Sequence, residues 1–202
     1  MTKEATVSSA DKLDRRKVVA RLVRDRKDLV VISSLGSPTY DLAAAGDHDR
    51  NFYLWGAMGG ASLIGLGLAL AQPNIPVAVL VGDGEALMGM GAFATIALQK
   101  PNNLSIIVLD NEIYGETGSQ LSHTASVTDL AAVAAACGIQ HTVVIKKANE
   151  LDALADRINT VGNCATVAIV KISAADEPRV LPSRDGVWLK VRTQAALSAR
   201  AK

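Results

Sequence analysis

Two short motifs carry the residues of this chain best suited to chemistry: Gly82-Asp83-Gly84-Glu85 and Asp110-Asn111-Glu112-Ile113-Tyr114-Gly115. Each follows a short apolar run, Val77-Ala78-Val79-Leu80-Val81 in the first case and Leu104-Ser105-Ile106-Ile107-Val108-Leu109 in the second. Asp83 and Asn111 are 28 residues apart, about the length of one strand–helix–strand unit. A right-handed crossover sets two such strands side by side, with their C-terminal ends at the same edge. One carboxylate and one amide oxygen then converge on a single point. Gly82 and Gly84 leave the backbone around Asp83 bare of side chains. An Asp and an Asn beside exposed backbone N–H groups suit a hard divalent cation carrying a diphosphate.

The elements that must position these residues follow from periodicity. Asp11 to Arg26 reads as an amphipathic helix with Leu13, Val18, Val19, Leu22 and Val23 inward. A strand over Asp28 to Ile32 leads through the Ser34-Leu35-Gly36-Ser37-Pro38 turn into a helix ending at Ala45. Phe52 to Trp55 reads as a short strand, and a Gly/Ala-rich helix runs on to Ala71. Between the two motif strands, Ala86 to Leu98 reads as one helix. Beyond them, Ser126 or Thr128 caps a helix through Ala136. A strand at Thr142 to Ile145, a helix at Glu150 to Val161 and a strand at Thr166 to Val170 follow. Strands and helices alternating at these lengths predict an α/β domain around a mainly parallel sheet. Ligands bind such sheets at the C-terminal strand ends, which directs the chemistry to Ser33–Ser37, Trp55–Gly59, Gly82–Glu85 and Asn111–His123. Residues 1–10 are expected to be a flexible N-terminus and residues 11–173 the domain. Residues 174–202, with Pro178, Pro182 and little periodicity, are expected to be a C-terminal arm that wraps a partner.

Composition narrows the function. A chain of 202 residues, 49% hydrophobic, is long enough for one domain with a sizeable core. Its formal net charge of +1 gives no footprint for nucleic acid or a membrane surface. The basic density from Lys12 to Lys27 is interleaved with Asp14 and Asp25 and reads as a solvated helix face. Cys137 and Cys164 lie in apolar surroundings, as core thiols do. Met1 to Ala10 is polar and lacks a signal-peptide core, so a cytoplasmic protein is expected. Phe52 to Ala71 is apolar enough to span a bilayer, but it holds Gly56, Gly59, Gly60, Gly65 and Gly67 and is followed by Gln72-Pro73. A helix buried on every side, packed against a partner chain, is the expected outcome.

Gly-Asp-Gly, about 25 residues, then a terminal Asn resembles the cofactor motif of thiamine diphosphate enzymes. The resemblance implies a three-layer thiamine diphosphate-binding fold over about Asp28 to Val170, with thiamine diphosphate and Mg²⁺ as cofactors. It implies Asp83, Asn111 and the backbone carbonyl of Ile113 as metal ligands. Where the family often has two Asn in a row, this chain has Asp110 first, and the ligating second Asn is kept. Leu54-Trp55-Gly56-Ala57-Met58-Gly59 is similar to the segment that meets the aminopyrimidine ring. By that resemblance the Gly56 carbonyl receives the amino group and Met58 is the apolar wedge that holds the cofactor bent; without it, Met58 reads as a core residue. The N–H groups of Gly84 and Glu85 are expected to face the diphosphate, with Gly82 leaving room. Gly36 and Ser37 lie in the first strand–helix turn, where Ser37 serves either a phosphate oxygen or a helix cap. Tyr114, Gly115 and Gln120 belong to a loop that resembles the family's cover over the cofactor.

Other motifs fail. No Gly-x-x-x-x-Gly-Lys-Ser/Thr loop occurs, and both Gly82–Leu87 and Gly89–Ala94 lack the third glycine of a dinucleotide fingerprint. His48, His123 and His141 show no metal spacing. His48 and His141 read as surface or packing residues, while His123, in the loop near the site, is a candidate for proton transfer or substrate contact. In the family, the Glu that activates the cofactor comes from a separate pyrimidine-binding domain, and this chain has no second α/β unit to carry one. The resemblance is therefore to the β subunits of split sulfopyruvate- and phosphonopyruvate-type decarboxylases, although Ala57 stands where those relatives often have Ser. It implies decarboxylation of a small 2-oxo acid in a heterodimer or α2β2 heterotetramer with a pyrimidine-domain α subunit. Carboligation, cleavage of a 2-hydroxyacyl thioester, and a non-catalytic cofactor-binding or regulatory subunit remain open on the sequence alone.

Overall fold

Strand order reverses at the centre of this molecule, and the motif residues gather there. The computed structural model describes residues 12–199, so the expected flexible N-terminus and the expected helix start at Asp11 lie outside the described residues. The main strands are β1 (Val30–Ser33), β2 (Asn51–Tyr53), β3 (Val77–Gly82) and β4 (Leu104–Asp110). A separate antiparallel hairpin of β5 (Ile113–Tyr114) and β6 (Gln120–Leu121) follows, then β7 (His141–Ile145) and β8 (Thr166–Lys171). Six strands form a sheet in the order β2-β1-β3-β4-β8-β7, and every pair in it is parallel. The chain passes from β1 outward to β2 and then returns to the other side of β1 as β3. That reversal leaves a crevice at the C-terminal ends of β1 and β3. The β3–β4 register pairs Gly82 with Leu109, so the next residues along the two strands are Asp83 and Asp110.

Helices α1 (Arg15–Arg24), α2 (Ser37–Ala44), α7 (Leu151–Ile158) and α8 (Gly186–Ser198) contribute to the core on one face of the sheet. Helices α3 (Ala61–Ala71), α4 (Asp83–Met88), α5 (Gly91–Gln99) and α6 (Leu130–Ala136) cover the other. Strand residues alternate between the two cores. Val31, Leu80, Ile107 and Ala168 face the first layer, and Ile32, Val79, Ile106 and Val167 face the second. This is the period-two pattern of a sheet buried on both sides, and the architecture is the three-layer α/β fold expected.

Several elements differ from their sequence-based reading. The helix expected over Ala86 to Leu98 is two, α4 and α5, separated at Gly89-Met90. A Cβ at Gly89 would lie 2.5 Å from the Gly59 carbonyl oxygen, so the β2–α3 loop crosses there backbone against backbone. The cap of α6 is Asp129, which accepts from the N–H groups of Ala131 and Ala132 at 2.9 and 3.0 Å, in place of Ser126 or Thr128. The Gly/Ala-rich helix begins only at Ala61, and no helix among the described residues is long and apolar enough to cross a membrane. It is not buried all round within this chain. Ala61, Ser62, Gly65, Leu66 and Ala69 are inward, while Leu63, Ile64 and Leu70 are exposed.

The C-terminal segment is also more ordered than its composition suggests. It carries α8, capped by Asp185, whose carboxylate accepts from Trp188 N–H at 3.0 Å. It packs back on its own chain: Leu189 is fully buried, Arg192 pairs with Asp47 at 2.6 Å, and the Trp55 indole donates to the Ser183 carbonyl at 2.7 Å.

Candidate active site

One cleft at the strand-order reversal gathers most of the residues singled out above. Gly36 and Ser37 line it from the end of β1, Met58 from the β2–α3 loop, Gly82 to Glu85 from the β3–α4 junction, and Asn111, Ile113, Tyr114 and Gly115 from the end of β4. Ser37 is the first residue of α2, one past its Gly36 cap, so its hydroxyl is not the cap. Gly84 owes its identity to a close approach, since a Cβ there would sit 2.9 Å from the Tyr114 ring. Met58 is 44% exposed and Met88 63%, so the cleft has an apolar lip open on one side.

Asp83 opens α4 and is 2% exposed. Its Oδ2 accepts from the hydroxyls of Ser122 and of Thr124, the latter at 3.2 Å. Burial pushes its carboxyl above the ordinary carboxylate range; the nearby Asp110 charge adds to this, and the hydroxyls oppose it. Asn111 turns its Oδ1 onto the Ile113 N–H at 3.1 Å, fixing the start of the β5–β6 hairpin. Asp110 is 1% exposed and receives the Thr124 hydroxyl at 2.8 Å and the Lys171 ammonium at 2.7 Å. Glu112 bridges Lys171 at 2.9 Å and Lys12 at 2.6 Å. The sequence reading gave no role to Ser122, Thr124 or Lys171, because their approach to Asp83 and Asp110 depends on how the loop folds back. Glu85 is 4% exposed, and its Oε1 takes the Ala61 N–H at 3.4 Å, at the start of α3. Burial pushes this carboxyl up to about 7, against the lowering effect of the Ala61 and Gly59 N–H groups.

Three candidates lie off the cleft wall. Gly56 is half-buried in a loop whose neighbours Trp55 and Ala57 adopt positive φ of 55° and 52°, but it is not part of the lining. Backbone held in that sparsely populated region by non-glycine residues is costly and clusters at binding loops. Gln120 is exposed and folds back on its own turn, donating to the Thr117 carbonyl at 2.8 Å. His123 is exposed as well, and its Nδ1 is 2.9 Å from the Tyr114 hydroxyl, so it reaches the cleft only through that ring.

The donor set fits a hard cation bound to a diphosphate. Asp83 brings one buried carboxylate, and the Asn111 amide oxygen keeps a second lone pair beyond the one given to Ile113. No group of three or more His, Cys, Asp or Glu side chains is arranged to hold a metal among the described residues. A cation here would therefore complete its shell with neutral oxygens and with those of a phosphate ligand, as Mg²⁺ does.

An α/β domain with this cleft, at this strand-order reversal, is a diphosphate-binding domain. Residues 43–170 match the family described as thiamine pyrophosphate enzyme, C-terminal TPP binding domain, and the chain belongs to that family. Among its relatives, the sulfopyruvate decarboxylase subunit beta of Methanothermobacter thermautotrophicus is 45% identical over 140 residues, 69% of this chain and 73% of that one. The phosphonopyruvate decarboxylase of Streptomyces viridochromogenes is 38% identical over 161 residues, 78% of this chain but only 40% of that protein. The fold matches the thiamine diphosphate-dependent 4-hydroxybenzoylformate decarboxylase of Rhodococcus jostii with a TM-score of 0.68 at 21% identity, over 88% of this chain and 36% of that chain.

Proposed function

We propose that this chain is the β subunit of a split thiamine diphosphate-dependent decarboxylase acting on a small 2-oxo acid of the sulfopyruvate or phosphonopyruvate kind. The observation that carries the reading is a single cleft lined by Asp83, Asn111 and the bare Gly84 backbone, in a chain 45% identical to a sulfopyruvate decarboxylase β subunit. Asp83, Asn111 and the Ile113 carbonyl would hold Mg²⁺, and the N–H groups at the start of α4 would meet the diphosphate. Thiamine diphosphate, when bound, supplies the electron sink for loss of carbon dioxide. Met58 offers an adaptable apolar surface at the lip, suited to the wedge role. Tyr114, held by His123, closes the side over Gly84 and limits water.

Among the described residues the cleft has no free carboxylate to activate the cofactor. Of the other carboxylates lining the cleft, Glu85 is turned to the start of α3 and Glu116 pairs with Arg179 at 3.7 Å. The activating Glu is therefore assigned to an α subunit carrying the pyrimidine domain, in a heterodimer or α2β2 heterotetramer. Support for such a partner comes from the 60% of the phosphonopyruvate decarboxylase chain that this one does not cover, the remainder of the 40% it does. The exposed Met58 and Met88 at the cleft, and Leu63, Ile64 and Leu70 exposed on α3, offer a partner apolar contact. A cytoplasmic location goes with this reading.

The test is to purify the full chain alone and with the chain that co-purifies from its host, load both with thiamine diphosphate and Mg²⁺, and measure carbon dioxide release from sulfopyruvate and phosphonopyruvate. Turnover only in the presence of the partner is the expected result. Robust turnover by this chain alone would overturn the half-site reading, and a loaded complex inert on both acids would overturn the substrate class.

A further inference from the structure

The loop that begins at Asn111 does not end its work at Gly115. It runs through the β5–β6 hairpin, is fastened by the Ser122 N–H to the Glu112 carbonyl at 2.9 Å, and returns to the carboxylate it faced across the cleft. Ser122 is 3% exposed, and its hydroxyl meets Asp83 Oδ2. Thr124 Oγ1 lies 2.8 Å from Ser122 Oγ, 3.2 Å from Asp83 Oδ2 and 2.8 Å from Asp110 Oδ1. Lys171, 2.7 Å from Asp110 Oδ2, offsets the charge that Asp110 adds beside Asp83. Two short side chains thus fix one oxygen of a buried carboxylate and tie it to a half-buried ion pair.

The geometry points to Ser122 and Thr124 as positioning residues for the metal, which orient Asp83 by holding its Oδ2 and so assign the ligating role to Oδ1. This rests on the cofactor reading above and goes beyond it in two respects. Neither hydroxyl is itself a ligand, yet each bears on cation affinity, as partners behind a metal ligand do. Asn111, the Ile113 carbonyl, Ser122 and Thr124 also belong to one stretch of chain, so cation binding and closure of residues 115–121 are coupled. A cation that needs Asp83 in this orientation favours the loop arrangement that supplies the two hydroxyls.

The experiment uses this chain in complex with the chain that co-purifies with it, with thiamine diphosphate and Mn²⁺ as the probe, reading free Mn²⁺ by its paramagnetic resonance signal and the loop by amide exchange over residues 115–121. Ser122→Ala and Thr124→Val are expected to weaken Mn²⁺ binding by about 10- to 100-fold, with unfolding midpoints close to wild type. Thr124→Ser, which keeps the hydroxyl, restores affinity, and Ser126→Ala leaves it unchanged. Mn²⁺ with cofactor slows exchange over the loop in wild type and not in Ser122→Ala. If wild type binds Mn²⁺ and both Ser122→Ala and Thr124→Val bind it within twofold, the inference fails and the cofactor reading stands. If wild type itself binds no Mn²⁺ with thiamine diphosphate, the cofactor reading fails and takes the inference with it.

Discussion

Asp83 is a carboxylate kept where a carboxylate is costly. Burial raises its pKa, and a neighbouring Asp110 raises it further, so the folded chain gains nothing from its charge unless a cation arrives. Asp83→Ala is therefore expected to leave the unfolding midpoint unchanged or raised, while Mg²⁺-dependent thiamine diphosphate binding falls by more than the roughly 100-fold given up when an outer partner is lost. Thermal unfolding of the variant checks the first half and calorimetric titration the second, and undiminished cofactor affinity would remove Asp83 from the proposed metal site. Glu85 makes a pH prediction. Its folded value of about 7 lies above the ordinary 4.5, so its stabilising share is whole below pH 4.5 and is lost as pH rises through 7. In chelator, Glu85→Gln should gain on wild type between pH 5 and pH 8 by on the order of 2 kcal/mol, allowing for solvent screening at the cleft. Urea unfolding at the two pH values measures it, and a gap that does not widen with pH would refute it. Asp83 and Asn111 were legible in the sequence because residues ending adjacent parallel strands must meet. Ser122 and Thr124 were not, since a hydroxyl 39 residues from Asp83 in the chain reaches it only by the fold of the hairpin.

At the scale of elements, alternation of apolar runs was enough to reveal the parallel sheet, because strands buried on both faces carry a strong signal. Interruptions were harder to read. The α4–α5 break is set by the Gly59–Gly89 crossing, a tertiary contact with no local signature. Helix α8 escaped notice because its buried residues, Leu189 and Thr193, are too few to mark an apolar face. The C-terminal segment is held instead by polar contacts that composition does not foretell. Arg15 lays Nη1 on both Asp41 oxygens at 2.8 Å and its Nε on the Ala175 carbonyl at 3.4 Å, and Arg16 adds a contact to Asp41 at 2.9 Å. One buried carboxylate on α2 thereby anchors α1, which in turn grips the start of the C-terminal segment. Asp41→Ala leaves the Arg15 guanidinium, 5% exposed, without its carboxylate. The expected cost is about 3–5 kcal/mol, read as a lower unfolding midpoint together with easier proteolysis after residue 174. A loss below about 1 kcal/mol would mean that Arg15 finds water or another acceptor.

At the scale of the whole molecule, the described residues leave apolar side chains of α3 and α5 uncovered. Helix α3 exposes Leu63, Ile64 and Leu70, α5 exposes Leu98 at 76%, and Met88 between them is 63% exposed. No charged residue occurs in α3 or α5. A monomer rarely leaves a large contiguous apolar patch uncovered, and the exposed Met58 and Met88 line the cleft. A chain that completes the cofactor site must approach from the side where the site is open, so assembly and chemistry should share this face. Ile64→Glu puts a charge on an exposed position of α3 without touching the buried Ala61, Gly65, Leu66 and Ala69. The variant should keep its unfolding midpoint, since such surface changes stay within about 0.5 kcal/mol. It should lose co-purification with the α subunit and, with it, turnover, because a charge desolvated at an apolar contact has no partner. Sedimentation of the mixed subunits separates the outcomes: two unassociated species would place the partner on α3, whereas an intact complex carrying Ile64→Glu would move the interface, and the missing half of the site, to another face.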